Sequence, residues 1–160
     1  MKGSREAEER AAIRPIAVNR RARHDFFVEE KIEAGIELKG SEVKVLRTNR
    51  VDFQGAHVRA EGGQAWLVHL KIPAYEKASY GGHEPLRPRR LLMHKREIAK
   101  LESRLGTEGR TAVPLSLYFK GPWAKVEIGI CRGKTRGDKR QALRDAEHKR
   151  AIERARGRRR

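Results

Sequence analysis

Alternation of apolar and polar residues marks pairs of short strands along the chain. Residues 113–119 and 126–130 place an apolar side chain at every second position, as in a strand with one buried face, and Gly121-Pro122 makes the turn of a hairpin between them. Residues 56–61 and 64–70 predict a hairpin around Gly62-Gly63, because glycine readily adopts the positive φ angles of a tight turn. These patterns predict antiparallel strands.

Other segments are less regular. Residues 26–38 mix apolar and acidic side chains, and we expect two strands here with a kink or turn near residues 33–35. Ser41 is a suitable N-cap for a short helix. Residues 91–105 contain an amphipathic helix, which Gly106 ends.

Several short antiparallel strands with one or two helices predict a mainly β protein. A small antiparallel β-barrel or sandwich is favoured, and closing a barrel removes exposed strand edges. Residues 74–88 contain Gly-Gly and two prolines, which predicts a long loop. With 160 residues, the chain has the size of one domain.

The end of the chain cannot enter a core. From Arg132 onward it holds 13 basic and 4 acidic residues. Residues 138–157 are rich in good helix formers, but Leu143 and Ile152 are their only large apolar side chains. Because an unpacked helix is marginal in water, we expect this tail to be disordered when free and helical against a polyanion.

The net charge of the chain is +17, which indicates an anionic partner. A nucleic acid is favoured, since neutralising phosphates releases condensed counterions. An anionic membrane is the competing partner, but no segment approaches the length of a membrane span. The single cysteine, Cys131, suits a reducing cytosol. Residues 1–15 lack the apolar stretch of a signal peptide and are expected to form a flexible arm, so we expect a cytoplasmic protein.

Motifs for catalysis or metal binding are weak. Gly-Lys-Thr at 133–135 resembles the end of a phosphate-binding P-loop, but the first glycine of that motif is replaced by Ile128. The histidines are scattered and Cys131 has no partner cysteine, which argues against a zinc site. His24 and Asp25 could form an acid/base pair. Adjacent residues on a strand point to opposite faces, however, which argues against such a pair. We predict no cofactor, no metal and no enzymatic activity.

Basic residues gather in clusters near histidine and aromatic side chains. The clusters are Arg20, Arg21 and Arg23, then Arg87, Arg89 and Arg90, then Lys95 and Arg96. Any one of these residues could serve solubility alone. Together with rings that can stack on bases, they favour RNA, which proteins recognise by shape, phosphates and stacking.

Five collinear segments resemble the SsrA-binding protein family, also called small protein B. They are NRRARHDFF (19–27), EAGIELKGSEVKVLR (33–47), LLMHKREI (91–98), VPLSLYFK (113–120) and KVEIG (125–129), followed by Gly-Lys and Asp-Lys-Arg at 138–140. The resemblance implies a six-stranded antiparallel barrel related to the oligonucleotide-binding fold, spanning residues 16–132, with helices packed on it.

The resemblance also implies a function. Members of this family bind the transfer-RNA-like domain of transfer-messenger RNA and carry it to stalled ribosomes, with elongation factor Tu expected in the same complex. The nascent chain then receives a degradation tag and the ribosome is freed. Two other classes remain open: a basic ribosomal or ribosome-biogenesis protein, and an RNA-processing enzyme.

Site residues follow from the matched positions. The RNA-binding set is Asn19, Arg23, His24, Glu33, Leu92 and Lys125. Glu33 could orient a neighbouring arginine, accept a base amino group, or simply cap a turn at residues 34–35. Leu92 could equally be a core residue.

The resemblance gives the tail, residues 133–160, a ribosomal role. It implies that the tail enters the empty message channel beside the small-subunit decoding centre and becomes helical there. Tail positions matching the family are Gly133, Lys134, Asp138, Lys139 and Arg140. Two positions depart from the family: Thr135 replaces a lysine, and Gly137 replaces a ring that would stack on a ribosomal base.

Overall fold

Seven strands form one antiparallel sheet in residues 12–78 and 82–157, the part of the chain that the computed structural model describes. The strands are β1 Ile13–Val18, β2 Phe26–Ile36, β3 His57–Glu61, β4 Gln64–Val68, β5 Arg89–Leu92, β6 Arg110–Lys120 and β7 Trp123–Gly133. The helices in the same residues are α1 Arg20–Asp25, α2 Gly40–Leu46, α3 Lys95–Leu105 and α4 Arg136–Gly157. The order of strands is β1-β6-β7-β2-β5-β4-β3.

The two predicted hairpins are confirmed. β6 and β7 pair along their whole length, and Val126, Ile128 and Ile130 are buried on one face. β3 and β4 are joined by Gly62 and Gly63, which have φ angles of 60° and 74°. These positive angles give the tight turn whose twist matches that of the strands.

The prediction of two strands in residues 26–38 is wrong. β2 is one strand of 11 residues, with a bulge between Val28 and Glu30 and no turn at residues 33–35. Ile32 and Ala34 face the core, while Glu33 points to the opposite face. The segment stays extended because β7 pairs along it and β5 pairs with its end.

The helices begin close to the predicted positions but with different caps. α2 begins at Gly40, and the Glu42 carboxylate accepts a hydrogen bond from the Lys39 amide at 3.0 Å. Ser41 instead bonds through Oγ to Nδ1 of His83 at 2.9 Å. α3 is shorter than residues 91–105, because Leu91 and Leu92 lie in β5, and it ends at Gly106 as predicted.

β1 and α1, at the start of the chain, were not predicted. β1 is an edge strand that pairs with β6, so residues 13–15 belong to the sheet rather than to an arm. The rest of the expected arm, residues 1–11, lies outside the described residues. The sheet has seven strands where the resemblance implied six, and β1 supplies one edge of it. Pro15 is tolerated in β1 because an edge strand has one unpaired side.

Both faces of the sheet carry apolar clusters. The main core joins the inner face of the sheet to α2 and α3, with Leu46, Leu67 and Leu101 almost fully buried. A smaller cluster lies on the outer face, where Ala22 of α1 packs against residues of β6 and β7, including Leu115. α1 is therefore fixed against the sheet by burial.

Candidate nucleic-acid interface

A row of residues crosses four strands on the outer face of the sheet. Tyr118 on β6 pairs with Lys125 on β7, Lys125 pairs with Gly35 on β2, and Gly35 pairs with Leu92 on β5. Residues paired across strands project on the same face and lie close together. Glu33 belongs to the same face, two residues before Gly35. The fold thus brings together Glu33, Leu92 and Lys125.

These three residues line one open groove with a volume of about 940 Å³. The Leu92 side chain is 53% exposed, so the interpretation of Leu92 as a core residue is wrong. Basic side chains surround the groove, namely Lys31, Arg90, Lys100, Lys120 and Lys125. An apolar side chain beside cations suits a surface that receives both bases and phosphates.

Glu33 is held by two neighbouring side chains, Tyr118 and Lys120. Its carboxylate accepts a hydrogen bond from the Tyr118 hydroxyl and lies 3.5 Å from Lys120 Nζ. Because Glu33 is in the middle of a strand, it caps no turn. Burial of the Tyr118 phenol, together with the Glu33 carboxylate beside it, raises the pKa of Tyr118 above its ordinary value of 10.0. Tyr118 therefore remains a donor to Glu33 at physiological pH.

Asn19, Arg23 and His24 form a second group at α1, where Asn19 is the N-cap and the other two lie on the helix. Asn19 serves the fold, since its Oδ1 accepts from the Ala22 amide at 3.3 Å and its Nδ2 donates to the Pro114 carbonyl at 2.8 Å. Arg23 and His24 are exposed on a helix, so the expectation of a strand at His24-Asp25 is wrong. A groove of about 700 Å³ runs beside Asn19 and the start of the helix.

His24 and Asp25 interact directly, contrary to the expectation for a strand. His24 Nδ1 lies 2.9 Å from Asp25 Oδ1. The hydrogen bond with His24 is the largest cause that holds the pKa of Asp25 below its ordinary value of 3.8, and the hydrogen bond from Lys139 is the next largest. The carboxylate is ionised at physiological pH and takes part in the junction with the tail.

The tail begins at a well-connected junction with α1. The Lys134 amide donates to the Asp25 carbonyl at 2.9 Å, and Lys134 Nζ donates to the Arg23 carbonyl at 3.0 Å. Phe27 lies beside this junction, with its ring centroid 5.1 Å from the Arg132 guanidinium carbon and 4.8 Å from Lys134 Nζ. These contacts fix where the chain leaves the body.

Thr135, which departs from the family pattern, caps the tail helix. Asp138 Oδ2 accepts hydrogen bonds from the Thr135 amide at 3.0 Å and from Thr135 Oγ1 at 2.8 Å. The Asp138 amide in turn donates to Thr135 Oγ1 at 3.2 Å. This reciprocal pairing is a capping box, which favours helix formation from the next residue onward.

Beyond its cap, α4 has no buried side chain. Leu143 is 53% exposed and Ile152 is 42% exposed. The helix is therefore attached to the body through its capped first turn. Disorder of the free tail stays a prediction.

Tyr118 and Lys120 belong to the site but were not among the predicted residues. The alternation in residues 113–119 held part of the signal, because it places residue 118 on the face opposite the core. The missing information was the register that sets Tyr118 beside Glu33. Among residues 12–78 and 82–157 no group of histidine, cysteine and acidic residues could hold a metal ion. In the same residues, no helix is long and apolar enough to cross a membrane.

Comparison with known proteins identifies the family. The model of one family, described as SmpB protein, matches residues 16–158. The chain belongs to the SmpB family. The SsrA-binding protein of Roseiflexus sp. (strain RS-1) is 50% identical over 143 residues, which is 89% of this chain and 90% of the relative. That of Carboxydothermus hydrogenoformans is 49% identical over 140 residues, covering 88% and 94% of the two chains.

A solved structure of the family supports the fold. The chain is similar, with a TM-score of 0.66 and 47% identity, to a chain in the structure called "tmRNA-SmpB: a journey to the center of the bacterial ribosome". The match covers 80% of this chain and 94% of that chain. The mainly β, barrel-like fold predicted from the sequence is confirmed.

Proposed function

We propose that this protein binds the transfer-RNA-like domain of transfer-messenger RNA and delivers it to stalled ribosomes. The observation that carries the proposal is the convergence of Glu33, Leu92 and Lys125 in one groove, although they are distant in the chain. Relatives named SsrA-binding protein, at about half identity over most of the chain, support the choice of RNA. The protein acts as an adaptor in the cytoplasm and not as an enzyme.

In this proposal the groove and the tail do different work. The groove on the outer face holds transfer-messenger RNA, while Arg23 and His24 on α1 face RNA beside the tail. The tail, residues 133–160, occupies the empty message channel near the decoding centre, where its cations lie against phosphates. Elongation factor Tu joins the same complex.

A competition assay at physiological salt tests the first part. Labelled transfer-RNA-like domain is bound and then challenged with excess bulk transfer RNA or a ribosomal RNA hairpin. We expect the labelled RNA to stay bound to the wild-type protein. Equal competition by all three RNAs would instead support a basic ribosomal or ribosome-biogenesis protein.

Substitutions then locate the binding surface. Glu33→Ala, Leu92→Ala and Lys125→Ala are each expected to weaken binding by about 10-fold or more, as for loss of a charged or stacking contact. Matched controls are Glu37→Ala, Leu86→Ala and Lys71→Ala, which change the same residue types at exposed positions outside the groove. If controls and test variants lose affinity equally, the groove is not the binding surface.

Truncation separates the two parts of the proposal. A chain that ends at Gly133 keeps the whole sheet and should bind the RNA domain, but it should fail to support tagging of the nascent chain. Loss of RNA binding together with the tail would contradict this division.

A further inference from the structure

Glu33 lies directly opposite a second carboxylate on the outer face of the sheet. In the register of β2 and β7 its partner is Glu127, which pairs on its other side with Ser116 of β6. Like charges at directly opposed positions destabilise an antiparallel pair of strands. Glu127 has a cation of its own, since Lys31 Nζ lies 3.7 Å from its Oε1. The Glu33 carboxylate therefore needs partners that hold it in place beside Glu127.

Those partners are Tyr118 and Lys120, which reach Glu33 from two strands away. Both lie on β6, and β7 runs between β6 and β2. The Tyr118 hydroxyl donates to Glu33 Oε2, while Lys120 Nζ lies 3.5 Å from Glu33 Oε1. Because each carboxylate oxygen has its own partner, rotation of the Glu33 side chain is restricted. A side chain that is ordered before its ligand arrives loses less freedom on binding, which strengthens the complex.

These contacts leave part of the carboxylate available to a ligand. A carboxylate has about four lone-pair positions, more than Tyr118 and Lys120 occupy. The Glu33 side chain is 41% exposed and lines the groove, whereas that of Lys120 is only 16% exposed. Tyr118 stays a neutral donor at physiological pH, because its burial and the Glu33 carboxylate raise its pKa. The rest of the Glu33 carboxylate can therefore accept hydrogen bonds from a molecule in the groove.

The chemistry of a fixed carboxylate determines which part of an RNA it can bind. An ionised carboxylate only accepts hydrogen bonds and it repels phosphates, so the RNA backbone charge is not its partner. The exocyclic amino groups of bases are donors, and unpaired bases present them to proteins. The two neighbours of Glu33 are a tyrosine and a lysine, which argues against the alternative role of orienting an arginine.

We propose that Tyr118 is a positioning residue for RNA binding, which fixes the Glu33 carboxylate so that it accepts a hydrogen bond from the exocyclic amino group of an unpaired base. The inference rests on the proposed function, since the RNA is the transfer-RNA-like domain. Tyr118 contacts Glu33 and not the base. The pair selects an amino group over a carbonyl oxygen at the same place on a base, because two acceptors cannot share a hydrogen bond.

A double-mutant cycle tests whether Tyr118 acts through Glu33. Tyr118→Phe keeps the ring but removes the hydroxyl, and it should weaken binding of the transfer-RNA-like domain by about 5-fold or more, the loss expected from one hydrogen bond. In the Glu33→Ala background the same change should alter affinity by less than about 2-fold, because the carboxylate that it positions is gone. Tyr75→Phe, at a half-buried tyrosine outside both grooves, is the control and should bind like the wild type. Equal losses in both backgrounds, or no loss in either, would overturn the positioning role.

RNA analogues test the amino group. At each unpaired position of the transfer-RNA-like domain, the nucleoside is replaced by one that lacks the exocyclic amino group: inosine for guanosine, purine riboside for adenosine or pyrimidin-2-one riboside for cytidine. We expect one replacement to weaken binding to the wild type by about 5-fold or more but binding to Glu33→Ala by less than about 2-fold, with Tyr118→Phe between the two. If no replacement distinguishes the wild type from Glu33→Ala, Glu33 accepts no base amino group.

Failure of this inference and failure of the proposed function give different results. The cycle compares variants on a single RNA, so it can be repeated with bulk transfer RNA. If bulk transfer RNA competes fully with the labelled domain, the proposed function is overturned, while the cycle on bulk transfer RNA still decides whether Tyr118 acts through Glu33.

Discussion

Lys139 Nζ of the tail helix lies 3.2 Å from Oδ1 of Asp25, the last residue of α1. Through this pair the tail is joined to the helix that carries Arg23 and His24. The pair adds to the bonds of Lys134 with the Arg23 and Asp25 carbonyls. The direction in which the tail leaves the body is therefore set by α1.

Asp25→Asn should loosen the tail without unfolding the body. The amide keeps the size of the side chain but loses the charge that attracts Lys139, so hydrogen exchange at residues 136–142 should accelerate. Asp145→Asn, which changes an aspartate further along α4, serves as the control and should leave that first turn unaffected. Binding of the transfer-RNA-like domain should not change, while tagging should fall.

The same contact should respond to acid. Because the pKa of Asp25 is lowered in the folded protein, its stabilising contribution is present above the ordinary value of 3.8 and is lost as pH falls through the lower, folded value. Asp138 has a lowered pKa as well and titrates in both proteins, so amide shifts of residues 134–139 followed by NMR should change below about pH 4 in both, but by more in the wild type than in Asp25→Asn. Identical titrations in both proteins would show that another group controls the junction.

Tyr118 should ionise later than an ordinary tyrosine. Burial and the Glu33 carboxylate favour the neutral phenol, so its stabilising contribution is present below pH 10.0 and is lost as pH rises through the raised pKa. The ultraviolet phenolate titration of Tyr118→Phe should therefore overlay that of the wild type up to about pH 10.5.

Glu33→Gln provides the matched test of the cause. Removing the carboxylate charge should bring Tyr118 ionisation to lower pH, although burial still keeps it above the ordinary value. An unchanged titration in Glu33→Gln would mean that the Tyr118–Glu33 hydrogen bond does not determine the ionisation of this phenol.

Among the ionisable residues, we expect substitution of Glu42 to lower the free energy of unfolding most. It is fully buried and accepts hydrogen bonds from Arg87 and Arg89, and Arg89 is itself fully buried. Burial alone would raise the pKa of Glu42, but the bonds from the Lys39 amide and the two arginines outweigh burial and hold it below its ordinary value. Glu42→Gln leaves a buried cation without its counter-charge, which costs about 3–5 kcal/mol.

Urea unfolding measures this loss, with the exposed Glu37→Gln as control. Because Glu42 joins α2 to Arg89 of β5, its loss should also weaken RNA binding at Leu92 of the same strand. The prediction would be contradicted if the free energy of unfolding of Glu42→Gln lay within about 1 kcal/mol of the wild-type value. That margin is the contribution of one ordinary hydrogen bond, about 1 kcal/mol.

The parts of the fold that depend on neighbouring residues could be predicted from the sequence. Alternation and glycine turns predicted the β3–β4 and β6–β7 hairpins, because both depend on neighbouring residues. Local patterns wrongly placed a break in β2 near Gly35. Gly35 in fact pairs with residues of β5 and β7, and this pairing depends on segments far away in the chain. α1 has only one buried residue, Ala22, and so leaves no apolar period in the sequence.

The residues of the candidate site could not be predicted from local patterns. Glu33, Leu92 and Lys125 came from the family resemblance, since nothing local links residues on three different strands. Their proximity is a property of strand order and register.

Gly129 on β7 controls the packing beneath α1. A Cβ at this position would lie 2.9 Å from Leu115 Cδ1 and 3.1 Å from both Cδ2 and Cγ. Leu115 is buried under Ala22 and cannot swing into solvent. Gly129→Ala should therefore overpack this cluster and destabilise the protein by about 1–3 kcal/mol.

A double-mutant cycle separates overpacking from other effects of the added methyl group. Leu115→Ala alone leaves a cavity and should cost about 2–5 kcal/mol, but in the Gly129→Ala background the methyl group occupies part of that space. The double variant should thus be more stable than the sum of the two losses predicts, by at least about 0.5 kcal/mol in urea unfolding. Strict additivity would mean that the two side chains do not meet. Because the cluster fixes α1 to the sheet, Gly129→Ala should also loosen the tail junction at Lys139, whereas Gly40→Ala, whose Cβ would meet nothing within 4 Å, should leave it unchanged.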